Sequence, residues 1–152
     1  MKKTFNKFNV LIGFIASIVT VVGFIIIYIP KSSNNLTGEW IMTSKIEKSD
    51  YRAYIGSSVQ WTMFITECEN KVKGTAEKIK INGIDIDYKQ RTSLEFEGVI
   101  EKNRLVINYF ENGKMRRTSG IINVILEKDK FSGQFSQTAA SAEGSIVGIK
   151  IK

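Results

Sequence analysis

Residues 92–127, TSLEFEGVIEKNRLVINYFENGKMRRTSGIINVILE, decide the fold. Their apolar and glycine positions recur on every second residue, as Leu94-Phe96-Gly98-Ile100, Leu105-Ile107-Tyr109 and Gly120-Ile122-Val124-Leu126. A period of two marks a strand with one face buried. Glu101 to Asn103 makes a polar turn between the first two runs. Asn112-Gly113 follows the second and offers the positive-φ residues that a tight hairpin turn needs. Three sequential antiparallel strands are predicted, at 92–100, 105–110 and 115–126.

The same alternation extends in both directions. Strands are predicted at 36–46, 59–68, 71–81 and 84–89 upstream, and at 131–137 and 144–151 downstream. Asn82-Gly83 stands between IKI and IDI as a second hairpin turn, and Lys128 to Lys130 forms another polar turn. Ile outnumbers Leu by 23 to 5 in the whole chain, and β-branched side chains fit the pleat of a strand. Beyond residue 35 no stretch carries an apolar period of 3.6.

Eight or nine short strands in sequential order form a meander, which must close on itself or hide its edges. Gly74, Gly98, Gly120, Gly133 and Gly148 lie inside strand patterns, and most of them share the phase of the apolar residues. Glycine on an inner wall permits the coiling that closure demands. The expected fold is therefore all-β: a small antiparallel up-and-down, lipocalin-like barrel of about eight strands over residues 36–152. Gly38-x-Trp40 resembles the first strand of lipocalin-type barrels, which closes one end.

Ahead of the barrel, residues 8–30 read FNVLIGFIASIVTVVGFIIIYIP without a charge. As a helix this run is about 34 Å long at about 1.5 Å per residue, enough for one passage through a hydrocarbon core of about 30 Å. The run exceeds a signal-peptide core and no A-x-A site follows it, so an uncleaved anchor is expected. Residues 1–7 are a basic tail and 31–35 a polar linker. Gly13, Ala16, Ser17, Thr20 and Gly23 fall within an arc of about 120° on that helix, a small-residue face suited to self-association of the anchor.

Composition excludes much chemistry. The chain has no His, one Cys and 15 Asp and Glu, which leaves no Ser-His or Cys-His nucleophile and no His-containing zinc site. An enzyme is not expected, nor a cofactor or structural metal. The net charge of +7 concentrates before Glu39, where Lys2, Lys3, Lys7 and Lys31 meet no acid; the other 18 cations face 15 anions. That distribution points to a lipid bilayer rather than to polymeric nucleic acid. Glu67, Glu69, Asp85 and Asp87 read as turn and surface charges rather than as a cation site.

Carried along the strands, the phase of the apolar residues brings Thr92, Arg116, Thr118 and Gln137 inward near strand ends, beside Trp61 and Tyr109. Aromatics combined with Arg and hydroxyl donors suit a planar anionic ligand, held by stacking and charge-assisted hydrogen bonds. The same residues also read as a solvated rim above a Trp plug.

The layout of tail, anchor and compact barrel resembles the transmembrane β-barrel effectors of bacterial CBASS antiphage defence. The residues carrying the likeness are the apolar run 8–30, Gly38-Glu39-Trp40, and the closing segments FSGQF at 131–135 and GSIVG at 144–148. The resemblance implies a bacterial inner-membrane protein whose barrel binds a cyclic nucleotide and whose anchors then form a homo-oligomer that damages the membrane. That family generally has two membrane helices, and this chain has room for one. The Lys-rich tail places the amino terminus in the cytoplasm and the barrel outside, whereas the resemblance places the barrel inside. A membrane-tethered lipocalin-like binding, accessory or immunity protein without effector activity is the alternative.

Overall fold

The computed structural model of the chain describes residues 35–113 and 116–152. The expected anchor at 8–30, with Gly13, Ala16, Ser17, Thr20 and Gly23, lies outside them. Among the described residues no helix is long and apolar enough to cross a membrane.

Nine strands are present among the described residues: β1 Gly38–Lys48, β2 Ser58–Cys68, β3 Lys71–Ile81, β4 Ile84–Asp85, β5 Ser93–Glu101, β6 Arg104–Asn112, β7 Arg117–Glu127, β8 Lys130–Gln137 and β9 Glu143–Lys150. All pairings are antiparallel, and eight strands close into a barrel in the order β1-β2-β3-β5-β6-β7-β8-β9. The seam is β1 against β9, with Trp40 opposite Lys150 and Thr43 opposite Val147. Closure leaves none of the eight with a free edge, which removes the aggregation hazard of an open meander.

Alternation along the strands sets inside from outside. Trp40, Met42 and Ile46 of β1, Trp61, Met63 and Ile65 of β2, Leu94 and Phe96 of β5, and Ile122, Val124 and Leu126 of β7 are buried. Their neighbours in sequence face outward. Phe131 and Phe135 of β8 complete the filling, and Trp40 packs on Phe131 with ring centroids 5.4 Å apart. Gly148 allows that contact, because a Cβ at this position would run into the Phe131 ring.

The two ends differ because their connections differ. At one pole, two-residue turns at Glu69-Asn70, Lys102-Asn103 and Lys128-Asp129 join adjacent strands, with positive φ at Glu69, Lys102 and Lys128. Leu36 is fully buried there; its N–H donates to Glu67 Oε2 at 2.6 Å, and its carbonyl accepts from Trp40 Nε1 at 2.8 Å. The pole is sealed. The opposite pole carries the longer connections 49–57, 82–92, 113–116 and 138–142, and forms an open mouth.

Two local expectations change. The strand expected at 84–89 shrinks to β4, because β5 pairs directly with β3 and leaves 86–92 without a ladder. The carboxylate of Asp87 accepts from the Lys89 N–H at 2.9 Å and turns the chain into a single helical turn, Tyr88–Gln90. Asn112-Gly113 is not a two-residue hairpin turn either. Asn112 pairs with Arg117 inside the ladder, and neither Asn112 nor Gly113 has positive φ. A two-residue turn at 112–113 would pair Glu111 with residue 114, whereas Glu111 pairs with Thr118. Asn82-Gly83 does make the expected tight turn, with φ of 51° and 79°.

Candidate ligand site at the barrel mouth

Inside the barrel little space remains. A void of about 30 Å³ lies among Met42, Ser44, Trp61, Tyr109, Glu111 and Gln137, room for about one water. A calyx for an apolar ligand needs roughly ten times that volume or more. The usable space lies above this floor, where a cleft of about 610 Å³ opens at the mouth.

Strand ends from most of the barrel build the cleft. β1 contributes Ser44 and Ile46, β2 Val59 and Trp61, β3 Lys78 and Ile81, and β8 Phe135 and Gln137. Glu111 comes from the end of β6, Thr118 from the start of β7, and Arg116 from the loop before it. The 82–92 connection adds Gln90 and Thr92, and the 49–57 connection adds Tyr54. The connection 138–142 is pinned to its neighbour, since Ala140 O accepts from the Asp50 N–H at 2.9 Å and from Ser49 Oγ at 3.0 Å. Ala140 keeps a φ of 53° in doing so, in the left-handed region that residues with a Cβ rarely occupy.

Five of the residues expected at the site, Trp61, Thr92, Arg116, Thr118 and Gln137, line this one cleft. Tyr109 lies one layer deeper, in the wall of the small void. Its hydroxyl hydrogen-bonds Gln137 Oε1 at 3.2 Å, and burial, followed by the nearby Glu111 carboxylate, pushes its pKa far up. Neither expected aromatic presents an open face: Tyr109 is buried and Trp61 is 5% exposed. Lys78 Nζ sits 4.9 Å from the centroid of the Trp61 ring. The aromatic open to the cleft is Tyr54, 42% exposed and packed edge-on against Tyr51.

Sequence reading missed Lys78, Glu111 and Tyr54. Lys78 and Glu111 form an ion pair, with side-chain exposures of 18% and 14%. Thr92 Oγ1 donates to the same Glu111 oxygen, Oε1, at 2.9 Å. The signal for both was phase: Lys78 continues Val72-Gly74-Ala76, and Glu111 continues Leu105-Ile107-Tyr109. A charge in step with an inward row is a candidate for the interior. Tyr54 sits in an irregular connection, where no period applies.

Arg116 is exposed at the rim and has no carboxylate within 4.0 Å among the described residues. Glu67, Glu69, Asp85 and Asp87 do not come together. The first two stand at the sealed pole, while Asp85 is ion-paired with Lys80 at 3.3 Å and Asp87 caps its turn at the mouth end. Among the described residues no group of His, Cys, Asp and Glu is placed to hold a metal ion.

Fold and mouth together define a closed antiparallel barrel of eight strands with a filled interior and a polar, partly open end. No protein-family model matches the chain, and no curated protein matches it in sequence.

Proposed function

We propose that the chain is a membrane-anchored sensor whose barrel mouth holds a small anionic ligand of the cyclic-nucleotide class, and whose anchors associate and compromise the bilayer when the ligand is bound. The observation that carries the ligand part is the cleft of about 610 Å³, within the range of small-molecule sites, lined by Lys78, Thr92, Arg116 and Thr118 beside Tyr54. Arg116, which has no carboxylate within 4.0 Å among the described residues, supplies a guanidinium for a phosphate, and Tyr54 supplies a face for a planar ring. The filled interior favours this over a lipocalin-like store for an apolar molecule. The effector part rests on the uncharged run at 8–30, its small-residue face and the resemblance to CBASS effectors. A ligand drives such a change only by binding the associated state more tightly.

The crowding of exposed Tyr51, Tyr54, Ile55, Ile81, Ile84 and Tyr88 on strand ends and connections of the mouth end favours a second reading, an accessory protein that docks a protein partner there. One experiment separates the two. The full chain in lipid nanodiscs is titrated calorimetrically with cyclic mono-, di- and trinucleotides, and the Arg116→Ala variant with whichever binds. Saturable binding weakened by roughly tenfold or more in Arg116→Ala is expected. Absence of binding across the panel overturns the sensor reading. The side of the membrane is read by labelling Asn112→Cys in a Cys68→Ala background in intact cells; labelling from outside would remove cytoplasmic messengers from consideration.

A further inference from the structure

Taking the mouth as an anion site, which is the reading above, we propose that Glu111 is an internal occupant of that site: its carboxylate holds the two donors that a ligand phosphate requires, so the ligand enters by exchange. Glu111 Oε1 accepts from Thr92 Oγ1 at 2.9 Å and is ion-paired with Lys78 Nζ. An ammonium and a hydroxyl converging on one anionic oxygen are the arrangement that a phosphate oxygen takes.

Three features set this apart from an ordinary surface pair. Its members are 18% and 14% exposed, so each has lost most of its hydration, and Lys78 rests against the Trp61 ring. A shielded pair of this kind contributes little net stability compared with apolar side chains of similar volume, so filling this end of the barrel does not by itself call for one. Glu111 also lines both the small void and the cleft above it, and it is one residue from the end of β6. A rotation of its side chain toward the mouth therefore frees Lys78 and Thr92 without disturbing the ladder.

The consequence is a threshold. A weakly charged or singly bonded anion does not displace a carboxylate already held by two donors. A ligand carrying a phosphate together with further contacts to Arg116 and Tyr54 does. Glu111 thereby acts as a specificity-determining residue, and its negative charge, once released, points to solvent near the rim.

The test uses the full chain in nanodiscs, with inorganic pyrophosphate and cyclic di-adenylate as probes and titration calorimetry as readout. Glu111→Gln keeps the shape and removes the charge, and is expected to tighten binding of both probes on the order of tenfold or more. The gain for pyrophosphate should exceed that for the larger probe, which makes additional contacts. Adding Lys78→Met to Glu111→Gln should abolish the gain. Glu127→Gln at the sealed pole makes the same change in net charge and should leave affinity unaltered. If Glu111→Gln does not fold, Glu111→Asp, which withdraws the carboxylate by one methylene, should show a smaller gain. Wild-type binding that is unchanged or weakened in the Glu111 variants overturns the occupant proposal and leaves the anion site standing. An equal gain in Glu127→Gln also overturns it. Failure of wild type and every variant to bind either probe overturns the anion site itself, and this proposal with it.

Discussion

At the scale of single residues, the barrel is most sensitive where two inner walls meet. Gly120 faces Tyr109 across the β6–β7 ladder, and a Cβ there would collide with the Tyr109 ring and the Ser136 carbonyl. Gly120→Val is expected to destabilise by about 3 kcal/mol, since a packed core yields little to added volume. Arg117 lies on the outer face, its guanidinium 4.2 Å from the centroid of the Phe110 ring, and Arg117→Ala should cost about 1 kcal/mol or less. Equilibrium denaturation of both variants checks the inner and outer assignment; equal, small effects would show it to be reversed. Tyr109 makes a prediction about pH. Its folded-state pKa is raised by burial above the unfolded value of about 10, so above that pH the unfolded chain releases a proton that the native barrel retains. The contribution to stability is present below about pH 10 and is lost as pH rises beyond it. Melting midpoints of wild type and Tyr109→Phe, followed from neutral pH upward, should fall less steeply above about pH 10 in the variant.

At the scale of elements, identical dipeptides do different work. Asn82 has a φ of 51° in the β3–β4 turn, and its Oδ1 accepts from the Ser58 N–H at 2.8 Å. Asn112 is an ordinary strand residue opposite Ser93 and Arg117. Replacement by a β-branched residue therefore has opposite consequences at the two positions. Asn82→Thr is expected to cost about 2 kcal/mol, from left-handed backbone and a lost acceptor. Asn112→Thr should stay within about 0.5 kcal/mol of wild type, since Thr suits a strand. Thermal denaturation of the pair decides it. Comparable losses at both sites would mean that Asn112 is a turn residue after all.

At the scale of the whole molecule, closure depends on chain segments near both ends of the barrel domain. Glu39 N–H donates to the Lys152 carbonyl at 3.0 Å, the Ile151 N–H returns to the Glu39 carbonyl at 2.7 Å, and Leu36 fills the sealed pole. A chain beginning at Asn34 is expected to fold to the same barrel. One beginning at Thr37 lacks the Leu36 side chain and the backbone partners of Glu67 and Trp40, and should be less stable by about 3 kcal/mol. Chemical denaturation of the two chains measures the difference, and indistinguishable midpoints would contradict a plugged pole.

The alternation in 92–127, and its extension along the chain, determined by itself that this is an antiparallel β meander with Leu94, Phe96, Ile107 and Ile122 inside. Alternation is a local property: each side chain's face follows from its own backbone and the pleat, with no knowledge of distant partners. The in-phase glycines carried the argument one step further, to closure, because a sheet coils only where its inner wall is thin. The candidate site was legible in part for the same reason, and Trp61, Thr92, Thr118 and Gln137 do share the mouth. Only the tertiary structure decided which residues are open to it. Tyr54 reaches the cleft from a connection that has no period. Lys78 and Glu111 stand on β3 and β6, with β5 between them, and their pairing exists because curvature brings alternate strands together across the mouth. The same curvature sinks Trp61 beneath Lys78 and narrows the space under the mouth to a void of about 30 Å³. Such contacts depend on strand stagger and barrel radius, properties of the closed sheet that no single strand contains.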